Sequence, residues 1–395
     1  MGGLKVFVIA GEPSGDRLGA AMMAGLRDLT PDVQIQGVGG DLMAAAGLDS
    51  LFPMDEISIM GLGEILSQYR ALKARIRQVS EAIIAARPDV VVTIDLPEFN
   101  LRVARLVKAA APDVRIVHYV APTVWAWRPG RAAKMAAHVD QVLALLPFEP
   151  PYMEAAGMRC DFVGHPVVSE PQATQAEAQA FRLANTRGAD RPLVLILPGS
   201  RRGEVARLTP LFGAAIKELA QMRPDLDYVV VAAGPVSQAV QAAVAEWPVK
   251  VHVVHPGVQG EDAYRQAKRA AFAAADVAIA ASGTVSLELA AARTPMVIAY
   301  DMAWLSRQII GRMLRVDTVT LVNLVADSRT VPEFIGTQCR PDLIAPAVAQ
   351  VLADPSPQHQ AMTLCMARLG AGGEPPGLRA ARAVLDGLSQ SRSQH

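Results

Sequence analysis

A chain of 395 residues is too long for one ordinary core, and at roughly 150 residues per domain it calls for two domains, or at most three. With 51% hydrophobic and 19% charged residues it has the composition of a globular protein, which excludes a disordered one. Lysine plus arginine and aspartate plus glutamate each number 38, so no global field exists to capture nucleic acid or an acidic membrane, and a charged partner must be met by a local patch.

The chain opens with "MGGLKVFVIA", a strand with no basic region, long apolar segment and cleavage site in succession, so no signal peptide is expected. The loop that follows, "GEPSGD", resembles a nucleotide-binding turn, but Gly11, Gly15 and Gly19 are spaced four apart, which fits neither the dinucleotide fingerprint nor the Walker pattern. Glu12 and Asp16 would repel a diphosphate by about 1 kcal/mol per pair in water, and by more in a partly buried cleft. Acidic side chains suit sugar hydroxyls and proton transfer instead. Next, "EISIMGLGEILSQYRALKARIRQVSEAI" sets Met60, Leu62, Ile65 and Leu66 beside Arg70, Lys73, Arg75 and Arg77. That combination suits an interfacial segment or a groove for an acylated anion, although most such stripes are core-facing helix.

"DVVVTIDLPEFN" ends an apolar strand at Asp95, with Pro97 stopping the strand and Glu98 and Asn100 in the turn; Asp95 is a candidate general base, its plainer alternative being a helix-capping aspartate. With Glu12 and Asp16 it makes three carboxylates expected at one sheet edge. "HYVAPTVWAWRPGRAAKM" brings Trp125, Trp127, Arg128, Arg131 and Lys134 after a strand, to hold a phosphorylated acceptor or merely to pack the domain edge. A polar stretch holding Pro166, Pro171, Gly188 and Pro192 then reads as a linker plus one helix.

From about residue 190 the cycle of apolar strand, turn and helix restarts. "LILPGSRRGE" offers Gly199, Ser200 and Arg201, a turn whose N–H groups, hydroxyl and guanidinium can face a phosphate; the alternative is a solvated surface loop. "VAIAASGTVSLE" places Ser282, Gly283 and Thr284 at a helix start, with Glu288 one turn on to accept ribose hydroxyls. An ordinary N-cap would look the same. The pair Asp225 and Asp227 precedes its strand and is taken as a solvated turn. Three scattered cysteines form neither a disulfide framework nor a metal knuckle, and neither metal nor cofactor is expected. After a glycine-proline stretch a last short helix closes the chain, and it is expected to cross back onto the first domain.

Continuous apolar strands alternating with helices give an α/β protein: two doubly wound, Rossmann-like parallel-sheet domains facing a cleft, with the working loops at the strands' carboxyl ends. The boundaries read as 1–180, joined by the C-terminal helix 374–390, and 181–373.

In order along the chain, "AGEPSGD", "GVGGDLM", "MGLGEIL", "IDLPEFN", "HYVAPTVWAWRPGR", "LLPFEP", "FVGHP", "LPGSR", "ASGTVSLE" and "VNLVADSRTVPEFIG" resemble the lipid-A-disaccharide synthases, inverting glycosyltransferases of the GT-B fold. The resemblance implies transfer of 2,3-diacylglucosamine from UDP to 2,3-diacylglucosamine 1-phosphate, giving a β-1,6 disaccharide and UDP. It also implies that Glu12, Ser14 and Asp95 are needed for activity and that Arg201, Glu288 and Asn323 serve the nucleotide. Two positions depart from the pattern: Pro13, where the family has alanine, and Val322, where proline precedes the asparagine. The expected partners are UDP-diacylglucosamine, diacylglucosamine 1-phosphate and the inner face of the cytoplasmic membrane, met by a cytoplasmic protein, with monomer or homodimer left open. Two other readings stay in view: an isomerase like UDP-N-acetylglucosamine 2-epimerase, and a non-catalytic sugar-nucleotide sensor.

Overall fold

The structure, a computed structural model, describes residues 3–58, 62–127, 130–188, 190–257, 260–302 and 316–393, with the side chains of 62–69 and 391–393 outside that description. It divides the chain into two units, Met1–Ser169 with Leu369–His395, and Glu170–Arg368.

In the first unit β1 (Lys5–Ala10), β2 (Gln34–Val38), β3 (Val90–Ile94), β4 (Arg115–Tyr119), β5 (Gln141–Ala144) and β6 (Arg159–Phe162) form one parallel sheet in the order β2-β1-β3-β4-β5-β6. The central strands are mostly apolar because helices cover both faces: β3 is "VVVTI", buried at every position. On one face lie Phe99, Val103 and Val107 of the helix Pro97–Ala110 with Ile76, Val79 and Ile83 of the helix Leu62–Ala86. The other face carries the helix Pro13–Leu29 and the last helix, Pro376–Ser393. These two meet through small residues, Ala21 and Gly25 against Gly377 and Ala381, which lets their backbones approach closely. Gln141 Nε2 donates to the Ala383 carbonyl at 2.8 Å and Arg379 to the Phe162 carbonyl at 2.7 Å, fixing the last helix along the sheet.

The second unit repeats the plan with β7 (Leu193–Leu197), β8 (Asp227–Val231), β9 (His252–Val254), β10 (Val277–Ala280), β11 (Met296–Tyr300) and β12 (Glu333–Ile335), ordered β12-β11-β10-β7-β8-β9 and parallel throughout. The helix Gln175–Asn185, which a boundary at 180 would cut, lies wholly in this unit: Arg182 pairs with Asp276 at 2.6 Å and Phe181 meets the His252 ring edge-on. At the other end the structure divides the chain at 368/369, and not after 373, because Leu369 is buried in the first unit and its carbonyl accepts from the His165 N–H.

Candidate functional site

Each sheet has one place where the strand order reverses, and there the loops leaving two neighbouring strands part company to open a crevice. In the first sheet it lies between β1 and β3, whose last residues, Ala10 and Ile94, are register partners. The loops leaving them carry Glu12 and Asp95. In the second sheet it lies between β7 and β10, where Leu197 pairs with Ala280, and the departing loops carry Gly199–Arg201 and Ser282–Thr284.

Glu12 is the half-buried N-cap of the helix Pro13–Leu29, where the helix dipole favours a negative charge. Pro13 occupies the first helical position, where its missing N–H has no partner to lose and its fixed φ suits the helix. The proline that departs from the family pattern is therefore compatible with the loop. Ser14 is exposed in the same first turn.

Asp16 does not join them. It is buried, and its carboxylate accepts from the N–H groups of Gly40, Leu42 and Met43 at 2.8, 2.9 and 3.0 Å, capping the helix Asp41–Ala45. Those three bonds turn "GVGGDLM" and "GEPSGD" into one structural unit. Of the three carboxylates expected at this edge, Asp16 serves the fold, so two remain.

Asp95 and Leu96 both have positive φ, 49° and 44°, a conformation that costs a non-glycine residue on the order of 1–3 kcal/mol and that concentrates at functional positions. The Asp95 N–H donates to the Tyr119 carbonyl at 2.9 Å. The Leu96 side chain fills the space where a Cβ on Gly11 would sit, 2.4 Å from Leu96 Cδ2, so the two loops interlock only because residue 11 is glycine. Burial raises the Asp95 carboxyl above its ordinary value, partly offset by the Leu96 N–H. Beneath this edge His118 is buried against Thr93 Oγ1 at 2.8 Å; burial first, and the Arg131 charge second, lower its pKa to about 4, so it stays neutral.

The loop bearing Trp125 is anchored by a residue the sequence reading passed over. Glu149, buried, accepts from Trp125 Nε1 at 3.3 Å and from the N–H groups of Leu145 and Leu146 at 3.1 and 3.0 Å, while Trp125 packs edge-on against Phe148. Burial raises its carboxyl to about 7 against those three donors. A carboxyl whose folded pKa exceeds its unfolded one stabilises most below the unfolded value and loses that contribution as pH rises through the folded value. Between about pH 5 and 7.5 Glu149 is thus expected to make the protein less stable as pH rises, by a few kcal/mol in all, and Glu149→Gln to flatten that slope. Melting temperature against pH measures it; an equal slope in both proteins would refute the assignment.

Of the basic residues expected to face an acceptor or a membrane, Arg131 pairs with Glu98 at 2.9 Å. Arg75 is taken up by Glu56 and by the Phe52 ring, 4.4 Å from its centroid, so it leaves the expected cluster. Arg70, Lys73 and Arg77 remain exposed, spaced three and four apart so that they line one stripe of the helix beside the buried stripe of Ile76, Val79 and Ile83. Met60 and Arg128 lie outside the described residues, and of Leu62, Ile65 and Leu66 only the place on the helix is described.

In the second unit Gly199 has φ 105°, and a Cβ there would stand 2.8 Å from Glu204 Oε2. Glu204 is the unexpected member. Its carboxylate accepts from the Ser200 and Arg201 N–H groups, both at 3.3 Å, from Arg201 Nη1 at 3.1 Å and from the Tyr300 hydroxyl at 3.3 Å. The N–H groups expected to face a phosphate thus meet an internal carboxylate, at long distance, while Arg201 and Ser200 remain exposed.

Thr284 precedes the helix Val285–Ala291 without capping it, and Ser282, Gly283 and Thr284 stay at least partly exposed. Glu288 pairs with Lys268 Nζ at 2.5 Å, a partner twenty positions earlier that no local pattern announces. Asn323 is buried: its amide donates to the Val331 carbonyl at 2.9 Å and to Glu333 Oε1 at 3.2 Å, and its carbonyl accepts from the Val331 N–H at 3.0 Å. Glu333 in turn gathers the Val319 and Thr320 N–H groups and the Thr318 hydroxyl. In this structure Asn323 therefore braces the turn before the helix Leu321–Ala326. Val322, second in that helix and buried, stands where a proline is also tolerated.

Asp225 and Asp227 lie at the opposite sheet edge, but only Asp225, paired with Arg223, sits in the turn; Asp227 is the buried first residue of β8, not part of a solvated turn, because Arg187 and Arg191 compensate its charge.

Residues 6–374 match the family model for lipid-A-disaccharide synthetase. The chain belongs to the lipid-A-disaccharide synthase family. A lipid-A-disaccharide synthase of Ruegeria pomeroyi is 60% identical over 98% of this chain and 96% of its own, and one of Rhodospirillum centenum is 45% identical over 98% and 95%. Among solved structures, the UDP-GlcNAc 2-epimerase of Neisseria meningitidis bound to UDP-GlcNAc superposes with a TM-score of 0.60 at 13% identity, over 98% of this chain and all of that one, and S. aureus MnaA with UDP with 0.63 at 12%, over 96% and 95%. At such identities the likeness shows the fold alone, two Rossmann-like units of GT-B type. Like the other lipid-A-disaccharide synthases, this chain is a glycosyltransferase, and the epimerase reading is not favoured.

Proposed function

We propose that the chain transfers 2,3-diacylglucosamine from its UDP conjugate to the 6-hydroxyl of 2,3-diacylglucosamine 1-phosphate, with inversion, releasing UDP. Family membership across nearly the whole chain carries this reading. The unequal charge of the two strand-order reversals supports it: carboxylates in the first unit, an exposed arginine in the second.

In this mechanism Asp95 accepts the proton of the 6-hydroxyl as that oxygen attacks the anomeric carbon on the face opposite UDP. A carboxyl lifted by burial is the stronger base for that task. Glu12 and Ser14 hold sugar hydroxyls at the same sheet edge. In the second unit Arg201, Ser200 and the Ser282–Thr284 turn receive the diphosphate as charge builds on it, and Glu288, held by Lys268, accepts the ribose hydroxyls. Asn323 keeps the neighbouring turn in shape. Incubation with UDP-2,3-diacylglucosamine tests the reading: UDP release is expected only when the acylated acceptor is present. Release without acceptor, or conversion of the donor to an epimer, would overturn it.

The acylated substrates place the enzyme on the inner face of the cytoplasmic membrane as a peripheral protein, and among the described residues no helix is long and apolar enough to cross a membrane. Arg70, Lys73 and Arg77 meet the lipid phosphates, with Met60 and Leu62 beside the acyl chains. At about 1 kcal/mol per cation, reversing all three to glutamate is expected to release the protein from anionic vesicles at moderate salt. Sedimentation with vesicles reads this out, and binding indifferent to both salt and the substitutions would refute it.

A further inference from the structure

Asn100 has no part in the mechanism above, yet it is one of the most enclosed polar side chains of the first unit, at 0% exposure. It lies in the first turns of the helix Pro97–Ala110, where its own N–H donates to the Leu96 carbonyl at 3.0 Å, and its side chain reaches back past the helix start. Its Nδ2 donates to the Asp95 carbonyl at 2.7 Å and to the Ile94 carbonyl at 3.2 Å. Only an amide NH₂ can serve two carbonyls this way, which fixes which atom is nitrogen. The remaining atom, Oδ1, is buried without a hydrogen-bond partner. An asparagine is a weak helix former, and an unsatisfied buried oxygen is destabilising. An alanine here would spare the helix both costs, so the value of Asn100 lies in the two carbonyls it holds.

Those carbonyls belong to the turn that aims Asp95. The peptide before its Cα is tied through its N–H to the Tyr119 carbonyl at 2.9 Å, and the peptide after it is tied through its carbonyl to Asn100. With both flanking peptides held, the residue stays at φ 49°, a value that a non-glycine residue leaves when it can, and the direction of its Cα–Cβ bond is set. We propose that Asn100 is a positioning residue for Asp95: it holds the left-handed turn at the end of β3 and so orients the carboxylate towards the acceptor hydroxyl. This rests on the reading of Asp95 as the base.

Asn100→Ala, Asn100→Ser and Asp95→Asn are to be assayed side by side, measuring kcat and KM for donor and acceptor across pH. Asn100→Ala is expected to lower kcat about a hundredfold, the cost of a carboxylate displaced by about 1 Å, with KM for the UDP-sugar unchanged. The acid limb of its kcat/KM profile is expected to move to lower pH, because a loosened turn lets water reach Asp95 and removes part of the burial that raises it. Asn100→Ser keeps one donor and is expected to recover part of both effects; should the alanine variant fail to fold, the serine variant reads the same two quantities. A folded variant with wild-type kcat and an unmoved acid limb would overturn the proposal, as would a loss of activity that leaves the limb in place. If Asp95→Asn itself turns over normally, it is the base assignment that has failed, and the positioning role falls with it. If Asp95→Asn is inactive while the Asn100 variants behave as wild type, the base stands and the positioning role alone is lost.

Discussion

Asp95→Asn is expected to lower kcat by about 10² to 10⁴ while leaving the UDP-sugar bound with near-normal affinity. The substitution keeps the size and shape of the side chain, so the turn after β3 retains its hydrogen bonds to Tyr119 and Asn100, and only the proton acceptor is removed. Burial raises the Asp95 carboxyl, so the wild-type kcat/KM is expected to climb across a pH range above that of an exposed aspartate, as the group ionises, and to level off beyond it. That limb is expected to vanish in the variant. Near-normal turnover in Asp95→Asn would transfer the role of base to Glu12, which leaves the neighbouring strand at the same edge, and Glu12→Gln measured alongside would then carry the large loss.

Arg201→Ala is expected to cost about 10² to 10³ in kcat, the usual effect of removing one preorganised group that meets developing charge. Arg201 is the N-cap of the helix Arg202–Met222 and stands exposed at the second reversal of strand order, its guanidinium touching Glu204 through Nη1 alone. Its positive charge is matched to a diphosphate that gains negative charge as the sugar leaves, so the loss is expected mainly in kcat, with a smaller rise in KM. Arg201→Lys is expected to fall between the two, since it keeps the charge but not the planar fork. An equal rise in KM with kcat untouched would mean that Arg201 merely binds the nucleotide.

The central strands of both sheets were legible because burial on two faces writes itself as continuous valine, isoleucine and leucine. β2, β6 and β12, which lack that signal, are all edge strands. An edge is covered on less of its surface, so "QIQGV" and "RCDF" mix polar with apolar residues, and "EFI" is too short to stand out. Site residues divide along a similar line. Glu12, Asp95 and Arg201 could be found because they follow strands directly. Asp16 looked equivalent to Glu12, four positions away, and only the helix Asp41–Ala45, brought beside it by folding, reveals what it caps. Lys268, Glu149 and the reach of Asn100 are tertiary facts of the same kind, invisible to spacing.

The last helix, Pro376–Ser393, has a consequence for how the protein is made. Ala380, Ala381 and Val384 are fully buried against the face of the first sheet that holds Val8, Val92 and Val117. A chain emerging from the ribosome therefore leaves the part of that apolar face not covered by the helix Pro13–Leu29 open until Pro376–Ser393 has emerged, while everything the second unit needs, Glu170–Arg368, has already appeared. The unit synthesised second is complete first, and the amino-terminal unit matures only after the helix Pro376–Ser393 has followed it. Loss of the last helix would accordingly strand the unit that carries Asp95 and leave the one that carries Arg201 intact.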